Sequence, residues 1–355
     1  MNPVPARLPL IDALKAAASQ LIVLHHLAFY GPMSDAAYGL APSLFDWLYE
    51  DARIAVQVFF VAGGYLSARS LAPRGGPTHE RPLTLVWNRY CRLVAPLLAA
   101  IGLAVVSAAI ARAWMQLESI PAVPTAPQLL AHALLLQNLL GYEALSAGVW
   151  YVAIDLQLFA LMVALLWLPR RVPSAAGGHR LRAPAVVSAL AAASLFYFNR
   201  DAGWDDWALY FFGAYGLGAL AFWASARNRA PLWLAAILAI GLSALLMEYR
   251  IRIAVALLVA LLLGFSRHSG FAQRGLGAHP IALLGRISYS VFLVHYPVCL
   301  VVNAAFARFA PDEPIINAFG LVLAWIASIL AGSLFYRHVE QASGTWLAKR
   351  IAGAR

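Results

Sequence analysis

Apolar residues in this chain form long runs, separated by short charged or proline-containing segments. A run of about 20 apolar residues is the length that an α-helix needs to cross the hydrocarbon core of a bilayer. The runs do not alternate polar and apolar residues with a period of two, which argues against a transmembrane β-barrel. The pattern therefore predicts an all-α, polytopic integral membrane bundle of about ten transmembrane helices, in a single domain over residues 1–355.

The ten predicted spans each have an apolar centre and polar flanks, and they cover residues 10–30, 54–71, 93–114, 150–168, 184–198, 207–223, 231–247, 253–265, 287–306 and 315–336. A further apolar stretch, residues 129–140, is shorter than a span needs to be. It favours a short re-entrant or interfacial helix, although the sequence leaves open whether it crosses the membrane.

The loop charges support this topology. With both termini in the cytoplasm, the inner segments hold 19 of the 26 lysines and arginines, including Arg170 and Arg171, and the outer segments hold 12 of the 16 acidic residues. Short cytoplasmic loops of membrane proteins are enriched in Lys and Arg, as here. We therefore expect a multi-pass protein whose loop beginning at Gly31 is extracytoplasmic.

Composition excludes several classes of protein. The chain is 62% hydrophobic and only 12% charged, with a mean hydropathy of +0.72, which is outside the range of soluble globular proteins. The net charge of +10 lies mostly in the inner segments, which argues against nucleic acid as a partner. Cys91 and Cys299, in or beside apolar runs, are predicted to be packing residues rather than a disulfide framework or a metal site. The first apolar run is full length, so we expect a retained helix and not a cleaved signal peptide.

The first predicted helix carries an unusual number of polar side chains, namely Asp12, Lys15, Ser19, His25 and His26. At about 100° per residue, Lys15 and His26 lie on one side about three turns apart, whereas His25 is about 80° away from Lys15. Asp12 and Ser19 join the stripe of Lys15 because they are three and four residues from it. A charge at the membrane centre costs about 2.5–3.5 kcal/mol, so such residues usually serve a cavity. The alternative is a neutralised Asp12–Lys15 pair near the helix end, with histidines that only pack between helices.

His26 is the candidate catalytic residue of this stripe. A histidine titrates near neutral pH, so it can accept and return a proton or attack an activated carbonyl carbon. On the predicted topology Lys15 lies in the inner half of the helix and His26 in the outer half. A donor from the cytoplasm and an acceptor from outside could meet at His26.

Two other clusters contain candidate charges. Arg89 and Arg92, at i and i+3 near the inner mouth of the third span, form a fork suited to phosphates, although anchoring to anionic lipid explains them equally well. Asp155 lies inside the fourth span, where it could pair with Lys15, an inner arginine or His26, or make a structural interhelical bond.

The ninth predicted span contains the last cluster. Arg286 begins it on the inner side and could serve a phosphate. Ser288 and His295 are seven residues apart and share a helix face, with Tyr289 beside Ser288. A proline-kinked packing helix with a buried histidine is the alternative, because Pro297 follows His295 closely.

Taken together, these segments resemble membrane-bound acyltransferase family 3, whose members acylate sugars of bacterial surface glycans and some small molecules. The matches follow the family order along the chain, at Asp12, Lys15 and His26 and at residues 56–65, 89–96, 150–157, 285–297 and 336–340. Three positions depart from the usual family residues: Lys15 replaces arginine, Gly63 replaces serine and Asp155 replaces glutamate. A lysine cannot make the bidentate contact of a guanidinium.

The resemblance implies an acyl-CoA donor, usually acetyl-CoA, and transfer across the bacterial inner (cytoplasmic) membrane to a hydroxyl of an extracytoplasmic glycan or glycolipid. The resulting hypothesis is an acyl-CoA-dependent O-acyltransferase without a metal. Its catalytic residues would be His26, Asp12, Lys15 and Asp155. The donor would be held by Arg89, Arg92, Arg286 and Lys15. The substrate cavity would be lined by Gln57, Trp150, Ser288, Tyr289 and His295.

Two other functions stay open at this point. The polar stripe of the first helix could serve a proton-coupled secondary transporter, or the chain could be a non-catalytic partner of a glycan-assembly machine. Membrane lipids are expected partners in every case. The sequence does not identify the acceptor, the acyl chain length, the oligomeric state, or whether transfer is direct or passes through an acyl-enzyme.

Overall fold

The computed structural model describes residues 8–76, 78, 80–168, 179–225, 230–269 and 279–346. These residues contain helices and connecting turns and no β-strand, so the predicted all-α membrane bundle is confirmed. Arg170 and Arg171, in the predicted inner basic segment, lie outside the described residues.

Thirteen α-helices, numbered in chain order, occupy the described part of the chain: α1 (Pro9–Phe29), α2 (Pro32–Ala37), α3 (Pro42–Glu50), α4 (Val56–Leu71), α5 (Pro82–Trp114), α6 (Ala126–Ala133), α7 (Val149–Trp167), α8 (His179–Phe196), α9 (Ala208–Ala224), α10 (Ala230–Met247), α11 (Ile251–Ser269), α12 (His279–Phe309) and α13 (Pro314–Phe335). Short 3₁₀ turns flank several of them, and a π-helical turn, Tyr336–Glu340, continues α13.

Five helical segments in the described residues are long and apolar enough to cross a membrane: Ala52–Leu71, Pro82–Trp114, Val149–Trp167, Pro280–Phe309 and Pro314–Trp346. Three shorter apolar helices coincide with α9, α10 and α11. These eight fall on eight of the ten predicted spans, and α1 and α8 fall on the other two. The number that actually crosses a membrane stays a prediction.

Two helices extend beyond the apolar runs that predicted them. Helix α5 begins at Pro82 rather than at residue 93, and α12 begins at His279 rather than at residue 287. Arg89, Arg92 and Arg286 therefore lie on helical turns and not in loops. These arginines interrupt the apolar runs from which the spans were predicted, whereas arginine is itself a good helix former, so the helices continue through them.

The short apolar stretch at residues 129–140 is helical only as far as Ala133. Helix α6 begins with a capping box, in which the side chains of Thr125 and Gln128 each bond the other residue's backbone N–H. After the helix, Leu135 takes a left-handed backbone conformation with φ of 58°, which ends the helical path. The stretch thus consists of the end of one short helix followed by turns.

The chain forms two compact units, and each contains parts of α1, α5, α7 and α12. Unit 1 comprises Met1–Ala18, Val56–Trp87 and Ile154–Arg286, and unit 2 comprises Ser19–Ala55, Asn88–Ala153 and Ile287–Arg355. The single-domain organisation stays a prediction.

Unit 1 is built around α9, which packs against α4, α8, α10 and α11 and is buried along most of its length. Its glycines allow α4 to approach closely. A Cβ atom at Gly218 would lie 1.9 Å from the carbonyl oxygen of Val61, and one at Gly64 would lie 1.8 Å from that of Tyr215. Small residues at such crossings let membrane helices pack backbone to backbone.

Unit 2 contains the second half of α1, helices α2 and α3, and the main part of α12 and α13. Helix α13 contacts α12 through Gly332, where a Cβ atom would lie 2.4 Å from a methyl group of Val291. It also contacts α1, because the indole N–H of Trp325 donates a 2.9 Å hydrogen bond to the side chain of Gln20. These contacts bring His295 of α12 close to His26 of α1.

Candidate functional site

Two histidines meet in unit 2, one on the last turn of α1 and one on α12. Nδ1 of His26 lies 2.7 Å from Nε2 of His295. The two ring planes differ by 13° and their centroids are 4.9 Å apart. The nitrogen–nitrogen distance is a hydrogen-bond distance, and the centroids lie much farther apart than the two nitrogens. The rings therefore meet edge to edge, with the hydrogen bond in their common plane.

The two rings differ in burial and in their other contacts. His295 is fully buried, whereas His26 stays partly exposed. Nδ1 of His295 lies 3.2 Å from the carbonyl oxygen of Val291, one turn earlier on α12. His26 is therefore the member of the pair that an entering molecule can reach.

His25, the neighbour of His26, has a different partner. Its Nδ1 atom donates a 2.8 Å hydrogen bond to the carbonyl oxygen of Leu48, near the end of α3. The rings of Phe29 and Tyr49 stack beside this bond, with centroids 4.9 Å apart and planes 19° apart. His25 thus attaches α3 to α1 and is itself buried.

Aromatic side chains lie beyond His26 toward the predicted outer side. The ring of Tyr30 lies 5.5 Å from that of His26, and the ring of Tyr296 lies edge-on to Tyr30 at 5.1 Å. The hydroxyl of Tyr296 donates a 3.3 Å hydrogen bond to the carbonyl oxygen of Ser119. Neither tyrosine was predicted to be a site residue, although Tyr30 is one turn after His26 on the same helix face.

Asn303 secures the chain where α1 ends. Its amide nitrogen donates to the carbonyl oxygen of Tyr30 at 3.2 Å, and its side-chain oxygen accepts from the backbone N–H of Met33 at 3.3 Å. Between them Gly31 has φ of 109°, where a Cβ atom would lie 2.3 Å from that side-chain oxygen. Only glycine fits this turn.

Near the predicted inner end of unit 2, Ser290 donates a 2.5 Å hydrogen bond to the carboxylate of Glu340. Glu340 lies on the π-helical turn after α13, an irregularity that often occurs at functional sites. The contact could not be predicted from the sequence, because 50 residues separate the two side chains. Ser288, on the same helix, is fully buried, and Tyr289 donates to the carbonyl oxygen of Leu93 at 3.2 Å.

The candidate donor-binding arginines of unit 2 lie on consecutive turns of α5. Arg92 is exposed and Arg89 is partly exposed. Between them, the hydroxyl of Tyr90 donates a 2.9 Å hydrogen bond to the carbonyl oxygen of Ala133, which ties α5 to the end of α6. Trp150, at the start of α7, is also partly exposed.

Unit 1 contains the remaining predicted residues near the start of α1. A Cβ atom at Gly285 would lie 2.2 Å from the carbonyl oxygen of Asp12, so α12 and α1 approach backbone to backbone there. Asp12 and Lys15 are partly exposed, and Arg286 is exposed.

Asp155 and Gln57, also in unit 1, are buried polar side chains on α7 and α4. A Cβ atom at Gly63 would lie 3.8 Å from a carboxylate oxygen of Asp155 and 3.2 Å from the ring of Tyr215. Two of the three departures from the family pattern are therefore neighbours. The ring of Tyr215 fills space beside them, held by a 2.6 Å bond from its hydroxyl to Ser67.

The predicted site residues thus divide between the units. Unit 2 holds those on the outer part of α1, on α5, at the start of α7 and on most of α12, namely His26, Arg89, Arg92, Trp150, Ser288, Tyr289 and His295. Unit 1 holds Asp12, Lys15, Gln57, Asp155 and Arg286. The predicted pairing of Asp155 with Lys15, an inner arginine or His26 stays a prediction. Across the described residues, no three His, Cys, Asp or Glu side chains are grouped as a metal site.

Comparison with protein families matches residues 8–337 to one family, described as an acyltransferase domain. The match covers nearly the whole chain, including every predicted site residue. No curated protein and no solved structure matches the chain.

Proposed function

This chain belongs to membrane acyltransferase family 3, and we propose that it transfers an acetyl group from cytoplasmic acyl-CoA to a hydroxyl of an extracytoplasmic glycan or glycolipid. Family membership makes it a multi-pass membrane enzyme that transfers acyl groups. The donor, the acyl group, the acceptor, and the placement in a bacterial inner membrane with both termini cytoplasmic are parts of the proposal.

The pair formed by His26 and His295 is the observation that carries this function. An acyl transfer to a hydroxyl needs a group that removes the hydroxyl proton while the oxygen attacks the acyl carbon. His26 has the chemistry of such a base, and one of its nitrogens is held at 2.7 Å by a second imidazole. Its partial exposure supports contact with a substrate.

The proposed reaction joins the acceptor oxygen to the acyl carbon and breaks the thioester carbon–sulfur bond. His26 takes the hydroxyl proton, and the proton then passes to the departing thiolate, so that CoA leaves as a thiol and His26 returns to its neutral form. In the alternative route the same imidazole attacks the thioester carbon first and displaces the CoA thiolate. The acceptor oxygen then attacks the acyl group on His26, the hydroxyl proton passes to the thiolate, and His26 is released in its neutral form. Both routes use one nitrogen of His26.

The donor is proposed to bind through the arginines of α5. Arg89 and Arg92 lie on adjacent turns and are at least partly exposed, so their guanidinium groups can contact the phosphates of acyl-CoA. Arg286 and Lys15 are proposed as further contacts. Gln57, Trp150, Ser288 and Tyr289 are proposed to line the cavity along which the thioester extends.

Labelled acetyl-CoA supplied to one face of sealed membrane vesicles tests this function. Vesicles that expose the cytoplasmic face should transfer label to the glycan or glycolipid fraction, and vesicles with His26→Ala should not. Profiling glycan acetylation in cells that lack and regain the protein would identify the acceptor. Proton-coupled uptake without acyl-CoA consumption would instead show a transporter, and wild-type glycan modification by a variant with both His26→Ala and Arg89→Ala would show a non-catalytic partner.

A further inference from the structure

We propose that His295 is a positioning residue that fixes the tautomer of His26 and thereby makes Nε2 of His26 the reactive atom. From the sequence, His295 was predicted only to line the substrate cavity. This inference rests on the proposed role of His26, and it assigns to one atom a chemistry that the family match leaves unspecified. Three hydrogen-bonding groups lie in a row here: the rings of His26 and His295 and the carbonyl group of Val291.

The row ends at a group that can only accept. The carbonyl oxygen of Val291 has no proton, so the 3.2 Å contact requires Nδ1 of His295 to donate. In a neutral imidazole one nitrogen donates and the other accepts, so Nε2 of His295 is then an acceptor. The 2.7 Å contact in turn requires Nδ1 of His26 to be the donor. Nε2 of His26 is left without a proton, and its lone pair is available to a substrate.

The geometry of the two rings strengthens this assignment. Because the rings are within 13° of coplanar and meet edge to edge, the N–H of His26 points along the lone pair of His295. Such an arrangement is short and aligned, as a strong hydrogen bond requires. It also sets the direction of Nε2, because Nδ1 and Nε2 lie across the same ring. A rotation of His26 would break the bond.

The burial of this part of α12 explains why His26 is positioned by a histidine and a backbone carbonyl rather than by a carboxylate. His295 is fully buried on α12, where an unpaired carboxylate would carry a large desolvation cost. The hydrogen-bonded groups of His26, His295 and Val291 are all neutral, so they fix the orientation of His26 without burying a charge. His25 does not supply this order to His26, because Nδ1 of His25 is committed to Leu48.

During transfer, the positioning bond stays in place. Nε2 of His26 takes the proton of the acceptor hydroxyl, while Nδ1 keeps its own proton, hydrogen-bonded to His295. The positive charge that develops on His26 strengthens this bond, because hydrogen bonds from a charged donor are the stronger ones. The proton on Nε2 then passes to the departing thiolate, and the pair returns to its starting form.

Two variants of similar size separate this role from packing. In His295→Gln, the side-chain amide keeps an oxygen that can accept from His26, whereas His295→Leu fills similar space without an acceptor. Both variants are compared for kcat and for KM toward acetyl-CoA, after a check that both remain folded. A positioned base contributes about 10²- to 10⁴-fold to a rate. We expect His295→Leu to lose at least tenfold more kcat than His295→Gln, with KM unchanged.

A measurement on the wild-type protein makes the test independent of any variant and of the reaction. Nitrogen-15 NMR with labelled histidine reports which ring nitrogen carries the proton, and His26→Gln identifies its signals. We expect Nδ1 of His26 to be protonated and Nε2 to be unprotonated at neutral pH. A proton on Nε2 of His26, or equal kcat in the two His295 variants, would overturn the proposal. If the tautomer is as expected but wild-type protein transfers no acyl group, then it is the proposed function that fails.

Discussion

His25 and Leu48 hold α3 against α1 through a 2.8 Å hydrogen bond from the imidazole to the backbone carbonyl. Replacing His25 by Leu removes this bond, which contributes about 1 kcal/mol. We expect amide hydrogen exchange in residues 42–51 to become about fivefold faster in His25→Leu. In His25→Asn, where a side-chain N–H remains, exchange should stay closer to the wild-type rate. Equal exchange in the wild type and His25→Leu would show that the bond does not hold α3.

Gly31 occupies a turn that no other residue fits. In Gly31→Ala the left-handed backbone costs about 1–3 kcal/mol, and the new methyl group displaces Asn303 from its bonds to Tyr30 and Met33. The purified variant should therefore melt at a lower temperature than the wild type. Gly39→Ala is the matched control, because nothing lies within 4 Å of its Cβ position. If the two variants melt together, this account of the turn is wrong.

Gly218 permits the backbone contact between α9 and α4. An alanine there would place a methyl group 1.9 Å from the carbonyl oxygen of Val61, so the helices must separate. Gly218→Ala should lower the melting temperature. Gly102→Ala, on α5, should leave it unchanged or raise it, because its Cβ position is open and alanine favours a helix by about 1 kcal/mol. Thermal unfolding of the two variants in the same detergent checks the opposite signs.

His132, just before the left-handed turn at Leu135, should make its own segment sensitive to acid. Its Nε2 accepts from the backbone N–H of Leu145 at 3.1 Å, and its Nδ1 donates to the carbonyl oxygen of Gln128 at 2.8 Å. Burial lowers the pKa of His132 from its ordinary 6.5, despite the opposing effect of the bond to Gln128. Below pH 6.5 His132 binds a proton more readily in the opened segment than in the closed one. The closed segment is therefore fully stable above this pH and loses stability as the pH falls below it.

Hydrogen exchange of the Leu145 amide measures this effect. Its protection factor should decrease below pH 6.5, by at most about tenfold per pH unit. In His132→Gln the protection factor should change little with pH over the same range. A wild-type protection factor that does not vary between pH 7.5 and pH 5 would contradict the role given to His132.

The general architecture could be predicted because the apolar length of each helix is a local property of the sequence. The catalytic role of the stripe on the first helix stays a prediction. Apolar length predicted the helices, and helical phase separated His26 from His25 without knowledge of their partners. The starts of α5 and α12 could not be predicted in the same way, because Arg89 and Arg92 in α5 and Arg286 in α12 interrupt the apolar runs.

Contacts between segments that are far apart in the sequence could not be predicted from local patterns. The partner of His26 is 269 residues away, and the shared face of Ser288 and His295 did not indicate which helix that face meets. Likewise, glycine at position 63 could be seen only as a departure from the family, whereas the structure shows the ring of Tyr215 beside it. Such pairings depend on how helices cross, which is decided by close packing over many residues.

Acyl transfer by purified protein with His26→Ala, measured beside His25→Ala, tests the central claim most directly. With labelled acetyl-CoA and the native acceptor fraction, we expect His26→Ala to lose about 10²- to 10⁴-fold in rate, because the base is gone. His25→Ala, which only loosens the contact between α3 and α1, should stay within about tenfold of the wild type. Wild-type activity in His26→Ala, or an equal loss in both variants, would contradict the account.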